Sequence, residues 1–164
     1  FIAQDLAVRY PEFVSRLILA GTSTFVNERN RLLLHDWVEN LEACMPPERW
    51  FRNFFYWIFT PRFFENTEAV DLALKRAVDY PYPQSNPGFR KQAGALAAFD
   101  GRKNLSGIKV PTLILCGEKD LLFPPEESRE IFHTLPDYSI RIIKKTAHAI
   151  HMENPRGFLD CVLY

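Results

Sequence analysis

Residues Val110 to Cys116 form one continuous apolar run that stops at Gly117. A run without a polar alternate is a strand hidden on both faces. Such a strand belongs in a parallel sheet with helices on either side. Pro111 is tolerated near its start, where a missing donor costs little. Val14 to Ala20 contains a second run, Leu17-Ile18-Leu19-Ala20, closed by Gly21, and Ser139 to Ile143 reads as a third strand. Pro125 to Thr134 predicts a helix with proline in its first turn. A strand, helix, strand, helix order implies parallel pairing through right-handed crossovers. The fold class expected is therefore α/β, with about three parallel strands and flanking helices.

Residues 1–9 have helical apolar spacing, with Ile2, Leu6 and Val8 beside the small Ala3 and Ala7. Tyr10-Pro11 ends that helix, because proline disfavours a helical residue before it. The middle of the chain, about 24–100, differs in character. It carries Leu33, Trp37 and Leu41 at helical spacing and is punctuated by Pro46-Pro47, Pro61, Pro81 and Pro83. Four or so short helices are expected there. Residues 50–59 are apolar on nearly every face and should be buried or line a pocket. Residues 67–79 predict an amphipathic helix with Val70, Leu74 and Val78 on one face. Asn86-Pro87 reads as the start of a helix running through Phe99, and Asn154-Pro155 as the cap of one that runs to the end.

Composition excludes several classes. The 164 residues carry 20 Lys+Arg and 20 Asp+Glu, with no basic run beyond the pair Lys144-Lys145, so a nucleic-acid partner is not expected. Aromatic content of 14% with balanced charge argues against disorder. A membrane span needs about 20 continuous apolar residues, and none is present. The start shows no signal-peptide pattern and begins with Phe rather than Met. Cys44, Cys116 and Cys161 are widely spaced and odd in number, which predicts free thiols and a reducing, cytoplasmic compartment.

Two segments carry the chemistry. Gly117-Glu118-Lys119-Asp120 follows one strand, and Ala147-His148 follows the next. Functional groups of open α/β sheets gather at strand carboxyl ends. An Asp and a His placed there form the acid–base half of a nucleophilic triad: the Asp fixes the imidazole and the His moves a proton. The alternative for Asp120 is an Asx turn closing its strand. His151 reads as a packing neighbour, and Glu118 and Asp137 as solvated loop charges. A metal site is not expected, since His148 and His151 lack a third ligand at sensible spacing.

The segment VPTLILCGEKDLLFP, with KTAHAIHMENP after it, resembles the C-terminal part of an α/β-hydrolase of the esterase, lactonase and haloperoxidase-like group. The resemblance implies that Asp120 is the acid and His148 the catalytic base, in the family's Ser…Asp…His order. FIAQDLAVRYPEFVSRLILAGT is similar to the helix and strand after the family's nucleophile elbow. QAGALAAFDGRKNLSGIKVPTLIL is similar to the exit from a helical cap, where Asp100 makes a turn or helix-terminus contact. The implied divisions are 1–23 (core helix and strand), 24–104 (helical cap) and 105–164 (C-terminal core carrying the acid and the His).

The sequence departs from the family at two places. No G-x-S-x-G occurs, so the chain is expected to be a C-terminal portion without its nucleophile, which the family supplies as Ser or, in dehalogenases, as Asp. The two glycines expected before the His are Lys145 and Ala147. The resemblance implies a hydrolase of a small, largely apolar ester, lactone or related substrate, with no cofactor. Ser23 is either a pocket-mouth residue or a turn residue. Trp50, Phe54 and Trp57, like Trp37, Phe55 and Phe59, either line an apolar pocket or pack the cap. The rival expectation is an inactive structural or interaction module that forms a homo-oligomer, such as a domain-swapped dimer, through an exposed sheet edge.

Overall fold

The structure is a computed structural model that describes residues 1–163. Three strands, β1 (Leu17–Ala20), β2 (Thr112–Gly117) and β3 (Tyr138–Ile143), form a parallel sheet in the order β1-β2-β3. Leu17 pairs with Thr112, and Thr112 with Tyr138, so the three carboxyl ends come out on one edge. β2 is central. Its Ile114 and Cys116 join a core with Leu17, Leu19, Leu105 and Phe132, while Leu115 joins Ile143 and Ile150 on the opposite face. The doubly buried strand expected from the apolar run is thus realised.

Strand boundaries are tighter than expected. Pro11–Phe13 forms a 3-10 turn closed by Val14 N–H on the Pro11 carbonyl at 3.1 Å, so β1 begins only at Leu17. Pro111 precedes β2, and its carbonyl accepts Leu17 N–H at 3.0 Å. Helix α1 (Ile2–Arg9) presents a different face from the one expected. Ala7 is fully buried and Gln4 is buried, while Ile2 is 87% exposed and Leu6 is exposed. Close approach favours the small side chain, and the Gln4 amide donates to the Ser23 carbonyl at 2.8 Å.

Between β1 and β2 lie α2 (Glu28–Glu42), α3 (Pro47–Ile58), α4 (Pro61–Phe64), α5 (Thr67–Val78) and α6 (Asn86–Ala98). They share a second core of Trp37, Trp50, Phe55, Ile58, Phe59, Val70 and Leu74. Leu122 and Ala149 belong to that core, so the helical layer sits over the strand carboxyl ends. Side-chain oxygens of Asn27, Asn66 and Ser85 cap α2, α5 and α6. The cap of α6 is Ser85, and the helix starts at Asn86 as expected.

Val78 is exposed rather than buried. The buried stripe of α5 runs Val70, Ala73, Leu74, Ala77. At 100° per residue, the seventh residue after Val70 returns to that stripe and the eighth does not. The entry and exit of the helical layer meet in a bridge between Phe25 and Asp100. Gly101 N–H donates to the Thr24 carbonyl at 2.7 Å, and the Arg102 guanidinium lies 4.3 Å from the Phe25 ring centroid.

Helices α7 (Pro125–Phe132), α8 (Ile150–Glu153) and α9 (Pro155–Val162) complete the chain. Asn154 caps α9 through Gly157 N–H at 2.9 Å. The expected continuation of this helix to Tyr164 lies outside the described residues. All three cysteines are free, and burial pushes the Cys116 thiol above its ordinary value. No helix among the described residues is long and apolar enough to cross a membrane.

Candidate active site

Asp120 sits three residues beyond β2, its backbone turned by Asp120 N–H on the Gly117 carbonyl at 3.2 Å. Its side chain is fully buried. Oδ1 accepts Leu122 N–H at 2.8 Å and Phe123 N–H at 3.0 Å, while Oδ2 lies 3.0 Å from His148 Nδ1. An ionised carboxylate only accepts, so the bond assigns a proton to Nδ1. In neutral imidazole Nε2 is then left with a free lone pair. The His148 side chain is 28% exposed. The ring is held at Nδ1 and the side chain stays partly exposed.

The segment that carries His148 crosses the strand ends at close range. An ideal Cβ on Gly117 would stand 2.0 Å from the Ala147 carbonyl oxygen. One on Gly21, whose φ is +52°, would stand 3.3 Å from His148 Cε1 and Nδ1. Sequence reasoning used these glycines only as strand ends. Their lack of a side chain is what admits the histidine segment.

Further bonds tie that segment down. Lys119 N–H donates to the Thr146 carbonyl at 2.8 Å, and Lys145 N–H to Glu118 Oε2 at 2.9 Å. Glu118, expected as a solvated charge, therefore also holds backbone. Lys145 stands at φ +61°, a region that favours glycine. Glu153 Oε2 accepts Ala147 N–H at 2.6 Å. Glu153 Oε1 accepts both Thr60 N–H, at 2.9 Å, and Thr60 Oγ1–H, at 2.7 Å. His151 faces Phe158 with ring centroids 6.0 Å apart.

A cavity of about 350 Å³ opens at His148. Its lining includes Gly21, Thr22, Leu122 and Phe123 beside the apolar Val26, Leu33, Trp37, Phe54, Phe89 and Leu96. Of the seven residues offered for a pocket from sequence, Trp37 and Phe54 line this one. Trp50 lies one turn behind Phe54, stacked on it at 5.6 Å, and its indole N–H donates to the Trp37 carbonyl. Trp57 is turned toward the Arg29 guanidinium, 5.9 Å from its ring centroid. Ser23 is buried, with its carbonyl occupied by Gln4, and its neighbour Thr22 takes the lining position. Leu33 and Phe89 were missed, since helical spacing alone does not tell a cavity wall from a packed core.

Among the described residues, His35, Asp36 and Glu39 bring three possible metal-ligand atoms within 4.8 Å of one another. All three are exposed on α2, with nothing further to mark a binding site.

Comparison with known proteins gives a consistent picture. Proline iminopeptidase PfmaB of Pestalotiopsis fici is 26% identical over 93% of this chain and 58% of its own length. The 3-oxoadipate enol-lactonase 2 of Acinetobacter baylyi is 22% identical over 97% of this chain and 57% of its own. The chain thus spans under three-fifths of the length of these two relatives. The structure of Rv0554 from Mycobacterium tuberculosis superposes with a TM-score of 0.85 at 24% identity, covering 99% of this chain and 60% of that one. This likeness shows the fold. The model of the alpha/beta hydrolase fold family matches residues 1–155, and by that match the chain belongs to this family.

Proposed function

We propose that the complete protein of which this chain forms a part is a hydrolase of small, largely apolar esters, lactones or related acyl compounds. The observation that carries this reading is the 3.0 Å contact between His148 Nδ1 and Asp120 Oδ2 at the mouth of an apolar cavity. Relatives named as a lactonase and an iminopeptidase support acyl transfer as the reaction class.

The nucleophile is a serine hydroxyl supplied from outside these 164 residues, facing Nε2 of His148. As that hydroxyl attacks the substrate carbonyl, Nε2 takes its proton. The buried Asp120 carboxylate stabilises the imidazolium and keeps the ring in register. The proton then passes to the leaving oxygen or nitrogen as the acyl–heteroatom bond breaks. A water repeats the sequence on the acyl-enzyme, returning the serine and releasing the acid. None of these steps calls for a metal or an organic cofactor. Helices α2–α6 act as a cap whose walls select the apolar part of the substrate. The free thiols support a reducing, cytoplasmic setting.

The test is His148→Ala and Asp120→Ala in the complete protein, assayed on a panel of nitrophenyl esters. Each should lower kcat/KM by roughly three orders of magnitude or more. Full activity in either variant would overturn the assignment. A second reading, in which residues 1–164 alone serve as an inactive module that pairs with another copy, is favoured by one observation. Among the described residues, β1 has a strand partner on one side only.

A further inference from the structure

Glu153 lies five residues beyond His148 and reaches in two directions at once. One oxygen holds Ala147 N–H, immediately before the histidine. The other holds the backbone and hydroxyl of Thr60, at the corner between α3 and α4. A second tie flanks the histidine on its other side, where Ala149 N–H donates to the Ile58 carbonyl at 2.9 Å. The residues on both sides of His148 are therefore bonded, directly or through one carboxylate, to the end of α3. The same helix carries Phe54, which lines the cavity.

We propose that Glu153 is a positioning residue: it couples the helical layer to the backbone of His148 and so holds the imidazole on Asp120. The inference rests on the reading of His148 as the base. Its chemistry follows from the count of donors. Three donors converge on Glu153, and an ionised carboxylate accepts all of them. A glutamine turns an NH2 group toward either Ala147 N–H or the Thr60 pair, which sets donor against donor. An aspartate is one methylene short of spanning both. Thr60 is 4% exposed, so its hydroxyl has no water to replace the lost acceptor.

The experiment uses the complete protein with Glu153→Gln, Thr60→Val and Thr60→Ser. Steady-state kinetics on a nitrophenyl ester are followed across pH, beside His148→Ala as a reference. Glu153→Gln should lower kcat about 10- to 100-fold, the scale of a misplacement near one ångström. KM should stay within about twofold, because the substrate walls remain. The acid limb of the kcat profile should move, because the imidazole loses its fixed place on the carboxylate. Thr60→Val should show the same change more weakly, and Thr60→Ser should restore wild-type behaviour.

A readout without turnover accompanies this: the downfield NMR signal of the His148 Nδ1 proton, which should weaken in Glu153→Gln and persist in Thr60→Ser. If His148→Ala abolishes activity while Glu153→Gln and Thr60→Val leave kcat, pH profile and the Nδ1 signal unchanged, the positioning role is wrong. The same holds if the loss equals the unfolded fraction and the acid limb stays in place. If His148→Ala remains active while Glu153→Gln still weakens the Nδ1 signal, the clamp stands and the hydrolase reading falls.

Discussion

An ideal Cβ on Gly117 would lie 2.0 Å from the carbonyl oxygen of Ala147 and 2.7 Å from its carbon, both of them backbone atoms. Backbone cannot rotate aside as a side chain does, so the histidine segment must move as a whole. Gly117→Ala should destabilise the protein by about 1–3 kcal/mol, the usual range for overpacking. Gly94, inside α6, has nothing within 4 Å of its ideal Cβ. There the same change should stabilise by about 0.5–1 kcal/mol, since alanine has less backbone freedom to lose. Urea unfolding of the two variants checks both signs. At this scale, the meeting of Asp120 and His148 was legible because strand ends and family motifs coincide at them. Glu153 was visible only as a motif letter. Its role depends on Thr60, a residue 93 positions away, and no local pattern encodes that pairing.

Element by element, periodicity located the helices well and their buried faces less well. In α5 the stripe drifts from Val78 to Ala77, and in α1 the small Ala7 displaces Ile2 and Leu6 from the interface. Volume and approach distance decide such faces, and a single sequence does not state them. The junction between the helical layer and the sheet lends itself to measurement. The Arg102 guanidinium bonds both oxygens of Asp100, with Arg102 N–H adding a third bond, and holds that carboxyl down to about 2. A depressed carboxyl contributes stability above its unfolded value, near 3.8, and loses it as pH falls through about 2. The Asp100 carbon signal should titrate near 2 in the folded protein, and Arg102→Ala should return it toward 3.8. A midpoint near 3.8 in the unsubstituted protein would refute the pairing. The expectation that Asp100 makes a turn contact agrees with its bond to Arg102 N–H.

At the scale of the whole chain, the sheet of the described residues has three strands, and its outer strand β1 is paired on one side only among them. Ile18 is 40% exposed, and an unpaired edge is a template for another chain. If residues 1–164 are produced alone, we expect a dimer or larger species at micromolar concentration by sedimentation velocity. Replacing Ile18 with Lys should shift it toward monomer, because edge lysines discourage strand addition. A monomeric parent chain would count against the pairing reading. The parallel pairing was legible because β2 is apolar throughout, whereas the strand order was not read from sequence. The height of the cavity over His148 was not, because it depends on how five helices lean together.

The separation of β1 from β2 also bears on how the chain is made. Asp120 and His148 lie within residues 112–148, a compact strand–helix–strand unit that folds from neighbouring sequence. β1 is synthesised before β2, and its partner Thr112 follows Ala20 only after the entire helical segment. At about 5–20 residues per second, β1 waits roughly 5–20 s for that partner. Throughout that interval Leu17 and Leu19 lack the β2 edge against which they pair in the finished sheet.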